Sequence, residues 1–179
     1  MSDARNSQNA RDILQARAKA LAAAGQEPVN QKTIQTVSFH LAGETYGIEL
    51  RFIREVLPPT PPTPIPGVPA HIAGIINVRG EILSVMDLRR LFDLAPGTAE
   101  APVGHYVLVL ASPDMVFGIF ADTVRGIRSI DIDQLAPAPA ALSGARRRYL
   151  KGITDAAGNV LDGEKLLNDE SLIVDHTTK

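Results

Sequence analysis

Apolar and polar residues alternate along most of this chain with a period of two. Val37, Phe39 and Leu41 alternate with polar neighbours, Ala42-Gly43-Glu44 supplies a turn, and Tyr46, Ile48 and Leu50 resume the alternation. Side chains two apart share one face of a strand, so this stretch predicts a hairpin. Ile72 to Val78 and Ile82 to Met86 predict two more strands around Arg79-Gly80. His105 to Leu110 and Val116 to Phe120 predict a second hairpin across Pro113-Asp114. Shorter strands are expected at Ile127 to Ile130, Tyr149 to Thr154 and Asn159 to Leu161. Helical signals in this part are brief: Arg51 to Leu57, Leu88 to Phe92 and Glu164 to Asn168. Asp87 precedes the second of these as an N-cap, and Asp122 stands before Val124 in a similar way.

Two regions break the alternation. In residues 1–31, Ile13, Leu14, Arg17, Ala18 and Leu21 fall at helical spacing until Gly25 and Pro28 end the pattern. The apolar stripe is thin, so this arm is expected to be disordered, or a helix that docks on the body or on a partner. After Leu57 come Pro58, Pro59, Pro61, Pro62, Pro64 and Pro66, which exclude both helix and central strand and predict a stiff extended loop. Ala95 to Gly104 and Ala136 to Ala141 are read as further loops.

The two halves of the chain repeat each other. Tyr46-Gly47-Ile48 matches Phe117-Gly118-Ile119, and in the same register Ile53-Arg54 matches Val124-Arg125 and Val56 matches Ile127. Further on, Ile72, Gly74 and Ile75 match Leu150, Gly152 and Ile153, Gly80 matches Gly158, and Ile82 matches Val160. Asp87 then pairs with Asp162, and Arg90-Leu91-Phe92 with Lys165-Leu166-Leu167, after a gap that leaves the second copy a few residues shorter in its last strand. Each copy is a unit of about five strands, and sheets this small hide their edges by closing. The repeat therefore predicts two small packed barrels, with exchange of strands between them as an option.

Composition removes several chemistries. With no cysteine there is no disulfide, thiolate metal site or cysteine nucleophile. The net charge of -2 offers no basic field for nucleic acid, and Arg146-Arg147-Arg148 is too short to supply one and reads as a solvated loop. No apolar run reaches the roughly 20 residues that span a bilayer, and the polar N-terminus lacks a signal-peptide core, so a cytoplasmic protein is expected. His40, His71, His105 and His176 are far apart and none has ligand spacing, so no metal or cofactor is expected. The serines lack a nucleophile elbow. Only Asp87 or Asp122 converging with His71 or His105 would support a small β-barrel hydrolase. Two charged residues stand out: Arg79 at a tip between two apolar strands, and Glu55 in the segment after the first hairpin. An arginine–carboxylate pair can fix a loop or present a planar fork to a partner.

The run Ile72-Ala73-Gly74-Ile75-Ile76-Asn77-Val78-Arg79-Gly80 resembles the CheW family of chemotaxis coupling proteins. So do Phe39-His40-Leu41 with Tyr46-Gly47-Ile48-Glu49, Val85-Met86-Asp87-Leu88, Gly118 to Val124, Tyr149 to Ile153 and Glu164 to Leu167. The resemblance covers residues 32–168. It implies an all-β fold of two intertwined five-stranded SH3-like barrels with short helical turns, the first mainly 45–104 and the second mainly 32–44 and 105–168, followed by a tail at 169–179. It also implies a non-catalytic adaptor that couples a methyl-accepting chemotaxis receptor to the regulatory domain of a CheA-type histidine kinase. By the same resemblance, Ile53, Glu55, Val56 and Arg79 would meet the receptor, with a receptor helix docking in the groove between the barrels. Thr63, Ile65, Gly80, Glu81 and Ile82 would meet the kinase. The shortened last strand leaves one variant open, a competitor that binds receptor without engaging kinase.

Overall fold

The computed structural model describes residues 2–23, 32–94 and 105–172. The loop read at Ala95 to Gly104, the helix stop at Gly25 and Pro28, His176 and the end of the tail lie outside the described residues. A helix, α1 (Ser2–Ala23), precedes ten strands. The strands are β1 (Thr33–Leu41), β2 (Glu44–Glu49), β3 (Ile53–Leu57), β4 (Ile72–Val78), β5 (Glu81–Met86), β6 (Tyr106–Ala111), β7 (Val116–Ala121), β8 (Thr123–Asp131), β9 (Leu150–Thr154) and β10 (Gly158–Leu161). Three short helices complete the body: α2 (Leu88–Leu91), α3 (Gly144–Tyr149) and α4 (Gly163–Asn168).

The strands form two five-stranded sheets, ordered β8-β1-β2-β10-β9 and β3-β6-β7-β5-β4. Written in terms of the repeat, the two orders are the same. β8 matches β3, β1 matches β6, β2 matches β7, β10 matches β5 and β9 matches β4. Each sheet takes its hairpin from one copy and its other three strands from the other copy. This corrects the expected division of the chain: β2 stays with β1, and the β6–β7 hairpin joins β3, β4 and β5. The physical reason is that a tight turn at Ala42-Gly43 keeps β1 and β2 paired from Thr36–Glu49 to Leu41–Glu44, so the hairpin moves as one piece. The exchange is completed by parallel pairing of β10 with β2 and of β5 with β7.

The duplicated details are equally close. Asp87 and Asp162 both cap a helix, accepting from the N–H of Arg89 and of Lys165. Their own N–H groups donate to the carbonyls of His71 and Tyr149, each at 2.7 Å. The proline segment touches β4 through a Thr63–Ile75 bridge, and the second loop touches β9 through Ala136–Ile153. At Gly74 and Gly152 a Cβ would collide with the Thr63 and Ala136 carbonyls respectively, so close backbone approach requires glycine at both.

Both faces of β6 are buried. Tyr106, Leu108 and Leu110 enter a large core shared by the two sheets, with Phe39, Tyr46, Ile48, Phe117 and Ile119. Val107 and Val109 face a second core with Val85 and Phe120. Strands buried on both sides read as continuous apolar runs, which is how β6 appears in the sequence.

Three local expectations change. Arg51 to Leu57 is not a helical turn: only Leu50–Phe52 make a 3-10 turn, and Ile53–Leu57 is a strand paired with β6. Branched Ile53 and Val56 suit a strand, and the partner that fixes it lies some fifty residues away in sequence. β8 extends well beyond Ile127 to Ile130, because β1 offers it partners from Thr33 to His40. The triple arginine is not a solvated loop but part of α3, whose Arg146 binds Glu44 and whose Arg148 lies 2.9 Å from Asp169.

Candidate protein-protein interface

The β4–β5 turn carries Arg79 (φ 51°) and Gly80 (φ 89°), both left-handed. A two-residue hairpin turn with both central residues at positive φ matches strand twist and ordinarily takes Asn-Gly. Here arginine occupies the strained position. Asn77 Oδ1 accepts the Gly80 N–H at 2.8 Å and holds the turn. Arg79 Nη2 donates to Glu55 Oε1 at 2.5 Å. The Arg79 side chain is 75% exposed while that of Glu55 is 9% exposed, so the carboxylate anchors an outward-facing guanidinium.

A second pair sits beside the first. Arg54 Nη2 donates to Glu81 Oε2 at 2.8 Å, and its Nε lies 3.7 Å from Glu55. The hydrogen bond from Arg54 holds the Glu81 carboxyl below the usual glutamate range. β3 and β4 are the two ends of their sheet, so ion pairs from β3 to the β4–β5 hairpin join those ends across the barrel.

Ile82 is 57% exposed. With Thr63 and Ile75 it lines a shallow groove of about 170 Å³ against the proline segment. Gly80 and Glu81 are exposed at the neighbouring hairpin tip, and Ile65 is half-buried. Ile53 and Val56 are buried and belong to the shared core. Their strand, β3, is overlaid by α1, which also packs on β8 of the other sheet.

Asp122 is not a helix cap. Its Oδ2 accepts the Ala42 N–H at 2.8 Å and its Oδ1 lies 3.0 Å from His105 Nδ1 and 3.9 Å from Arg89. Burial pushes this carboxyl up, but His105, the Ala42 N–H and Arg89 outweigh burial and hold it below the usual aspartate range. Asp87 binds Arg89 at both carboxylate oxygens, at 2.9 Å each. Convergence of Asp122 with His105 therefore does occur, and Asp87 and Asp122 also contact the N-terminus of α2 and the β1–β2 turn. Among the described residues no group of three or more histidines and acids is placed to hold a metal.

The family description "CheW-like domain" matches residues 35–171. The chain belongs to the CheW family. It is similar to "Chemotaxis protein CheW" of Treponema pallidum, 29% identical over 80% of this chain and 88% of that protein. It is 33% identical to "Protein FrzA" of Myxococcus xanthus over 75% of this chain and 82% of that one. Among solved structures it resembles the scaffolding protein TtCheW from Thermoanaerobacter tengcongensis, with a TM-score of 0.64 at 26% identity, covering 76% of this chain and 85% of that chain.

In this CheW-family chain, then, Glu55 and Arg79 meet directly, Thr63 and Ile82 share a groove, and Ile53 and Val56 sit inside the fold. One contributor escaped the sequence reading: Arg54 joins the ion-pair cluster, and its only signal was its match to Arg125 in the repeat. The arm takes the second of its two expected forms, a helix docked on the body, though its resting place on β3 and β8 could not be read from the stripe.

Proposed function

We propose that this chain is a non-catalytic chemosensory adaptor in the cytoplasm that couples methyl-accepting receptors to the regulatory domain of a CheA-type histidine kinase. Family membership supports an adaptor role. The observation that carries the assignment of a surface is Arg79: an exposed guanidinium kept at a left-handed turn position that asparagine would occupy at lower cost. Ala42 and Asp93 are also left-handed, so it is the exposed guanidinium anchored on a buried carboxylate that sets Arg79 apart. The receptor would engage Arg79 and Glu55 and the seam that α1 overlays, where Ile53 and Val56 are buried beneath the helix. The kinase would engage the groove at Thr63 and Ile82 with Ile65, Gly80 and Glu81 around it. Against the hydrolase alternative, Asp87 caps α2 and Asp122 Oδ2 holds the Ala42 N–H, although Asp122 Oδ1 does come within 3.0 Å of His105.

The test is co-precipitation of the full chain with a receptor cytoplasmic fragment and, separately, with the kinase regulatory domain. Wild type binds both, and Arg79→Asn loses the receptor while retaining the kinase. Folded wild-type protein that binds neither would refute the adaptor reading. Binding to receptor alone would favour the competitor. That variant has little structural support, since the short β10 lies inside its sheet between β2 and β9 and is not an edge.

A further inference from the structure

The groove between the two barrels already has an occupant. α1 lies across the seam, packing on β3 of one sheet and β8 of the other. Its Ile13 is fully buried in the same core cluster as Ile53, Val56 and Val124. Asn9 Nδ2 reaches the carbonyls of Val124 at 3.4 Å and Arg125 at 3.5 Å. An amphipathic helix docked by an apolar residue into an apolar groove is the arrangement proposed above for the receptor helix, made here within one chain.

The fit is incomplete. Among the described side chains of α1 only Ile13 is fully buried, with Ala10 and Ala16 packed part-way against the core. Leu14 is 41% exposed and Leu21 is 68% exposed. Beneath the second half of the helix a largely apolar cleft of about 550 Å³ remains, lined by Arg17, Leu21, Ile34, Leu50 and Arg51 among others. Arg17 Nε is buried there without a hydrogen-bond partner. Burial and the neighbouring positive charge of Arg54 both disfavour the Arg17 charge. An unpaired buried polar atom weakens the docked state, and an unfilled apolar cleft leaves surface for a better ligand.

We infer that α1 is an intramolecular stand-in that keeps the inter-barrel groove closed until a partner helix displaces it. This rests on the adaptor reading above. The partner is an amphipathic helix with a longer apolar stripe than α1, able to fill the cleft. α1 then sets a threshold: apparent affinity is reduced by the fraction of molecules in which the groove is covered.

The experiment titrates a receptor cytoplasmic fragment against the full chain, Ile13→Asp and Ile13→Ala. The two variants release α1 to different degrees, so a folding defect in one still leaves the other readable by circular dichroism and melting. Both variants are expected to bind more tightly than wild type, Ile13→Asp by about tenfold or more. A synthetic peptide of residues Ser2–Ala23, added in excess, should return Ile13→Asp to the wild-type affinity, and the same peptide carrying Ile13→Asp should not. Equal affinity of wild type and both variants overturns the gate and leaves the adaptor reading standing. No receptor binding by any folded form overturns the adaptor reading and the gate with it. In that case saturable binding of the peptide to Ile13→Asp, followed by fluorescence anisotropy, would reduce α1 to a structural brace.

Discussion

Arg79 shows how one side chain can be separated from the backbone that carries it. Asparagine adopts left-handed turn conformations readily and arginine does not. The salt bridge that Arg79→Asn removes has one largely exposed partner, and Glu55 keeps Arg54 at 3.7 Å. Stability should therefore stay within about 1 kcal/mol of wild type, as read from urea midpoints, while receptor binding is lost. A large fall in the midpoint would make Arg79 chiefly a structural residue. His40 contributes a pH dependence near neutrality. Its Nε2 accepts from Arg125 Nε at 3.3 Å and lies 3.2 Å from the Thr45 hydroxyl, an arrangement suited to a neutral ring with its lone pair on that nitrogen. Burial, then the charge of Arg125, lowers its pKa despite Asp122. A lowered folded pKa means that the unfolded chain takes up the proton first. The contribution of His40 is thus complete above the unfolded value of about 6.5 and is lost as pH falls from there through the folded value. Urea midpoints at pH 7.5 and 5.5 should differ less in His40→Gln than in wild type; the same difference in both would assign the effect to another group. From sequence, the partner of His40 was not readable, because Arg125 lies on a strand whose pairing the local pattern did not reveal.

The repeat makes its elements comparable in pairs. Alanine at Gly74 would drive its Cβ into the Thr63 carbonyl from a backbone at φ 146°, and alanine at Gly152 would meet the Ala136 carbonyl and the Leu135 side chain. Gly74→Ala is expected to destabilise by about 2–4 kcal/mol and Gly152→Ala by about 1–3 kcal/mol, the first being larger because conformational strain adds to the clash. Equilibrium denaturation checks both, and reversal of that order would mean that the second loop yields less than the proline segment. The Asp87 cap and the hairpins were legible because their signals are local, whereas Asp122, read the same way, precedes a strand and holds the Ala42 N–H instead. Ile53 to Leu57 was not. Its five residues suit a turn or a strand equally, and long-range pairing with β6 makes the choice.

Exchange of hairpins between the copies makes the body one folding unit. Residues 32–94 contain β1 to β5, but these strands belong to two sheets, and the same holds for β6 to β10 in residues 105–172. A fragment of either half would expose the edges that the other half covers. Expressed alone, neither should show a cooperative thermal transition, and mixed together they should recover one. Independent folding of the first fragment would show that its strands can pair without exchange. Intact, the body should unfold in a single transition, since the large core draws on both sheets and on Ile13.

Alternation, turns, caps and the internal repeat together established a duplicated five-stranded unit, and the absence of cysteine excluded thiolate chemistry. These signals lie within a dozen residues of one another, or recur in order, and so survive in one dimension. Which copy supplies which hairpin, the closure of one sheet through Arg54, Glu55, Arg79 and Glu81, and the seating of α1 over the seam all depend on contacts between distant segments. The same alternating strand can pair with its own copy or with the other, and the same thin stripe can face solvent or a groove. Packing in three dimensions makes those choices, because burial is shared by surfaces that the chain brings together only when folded.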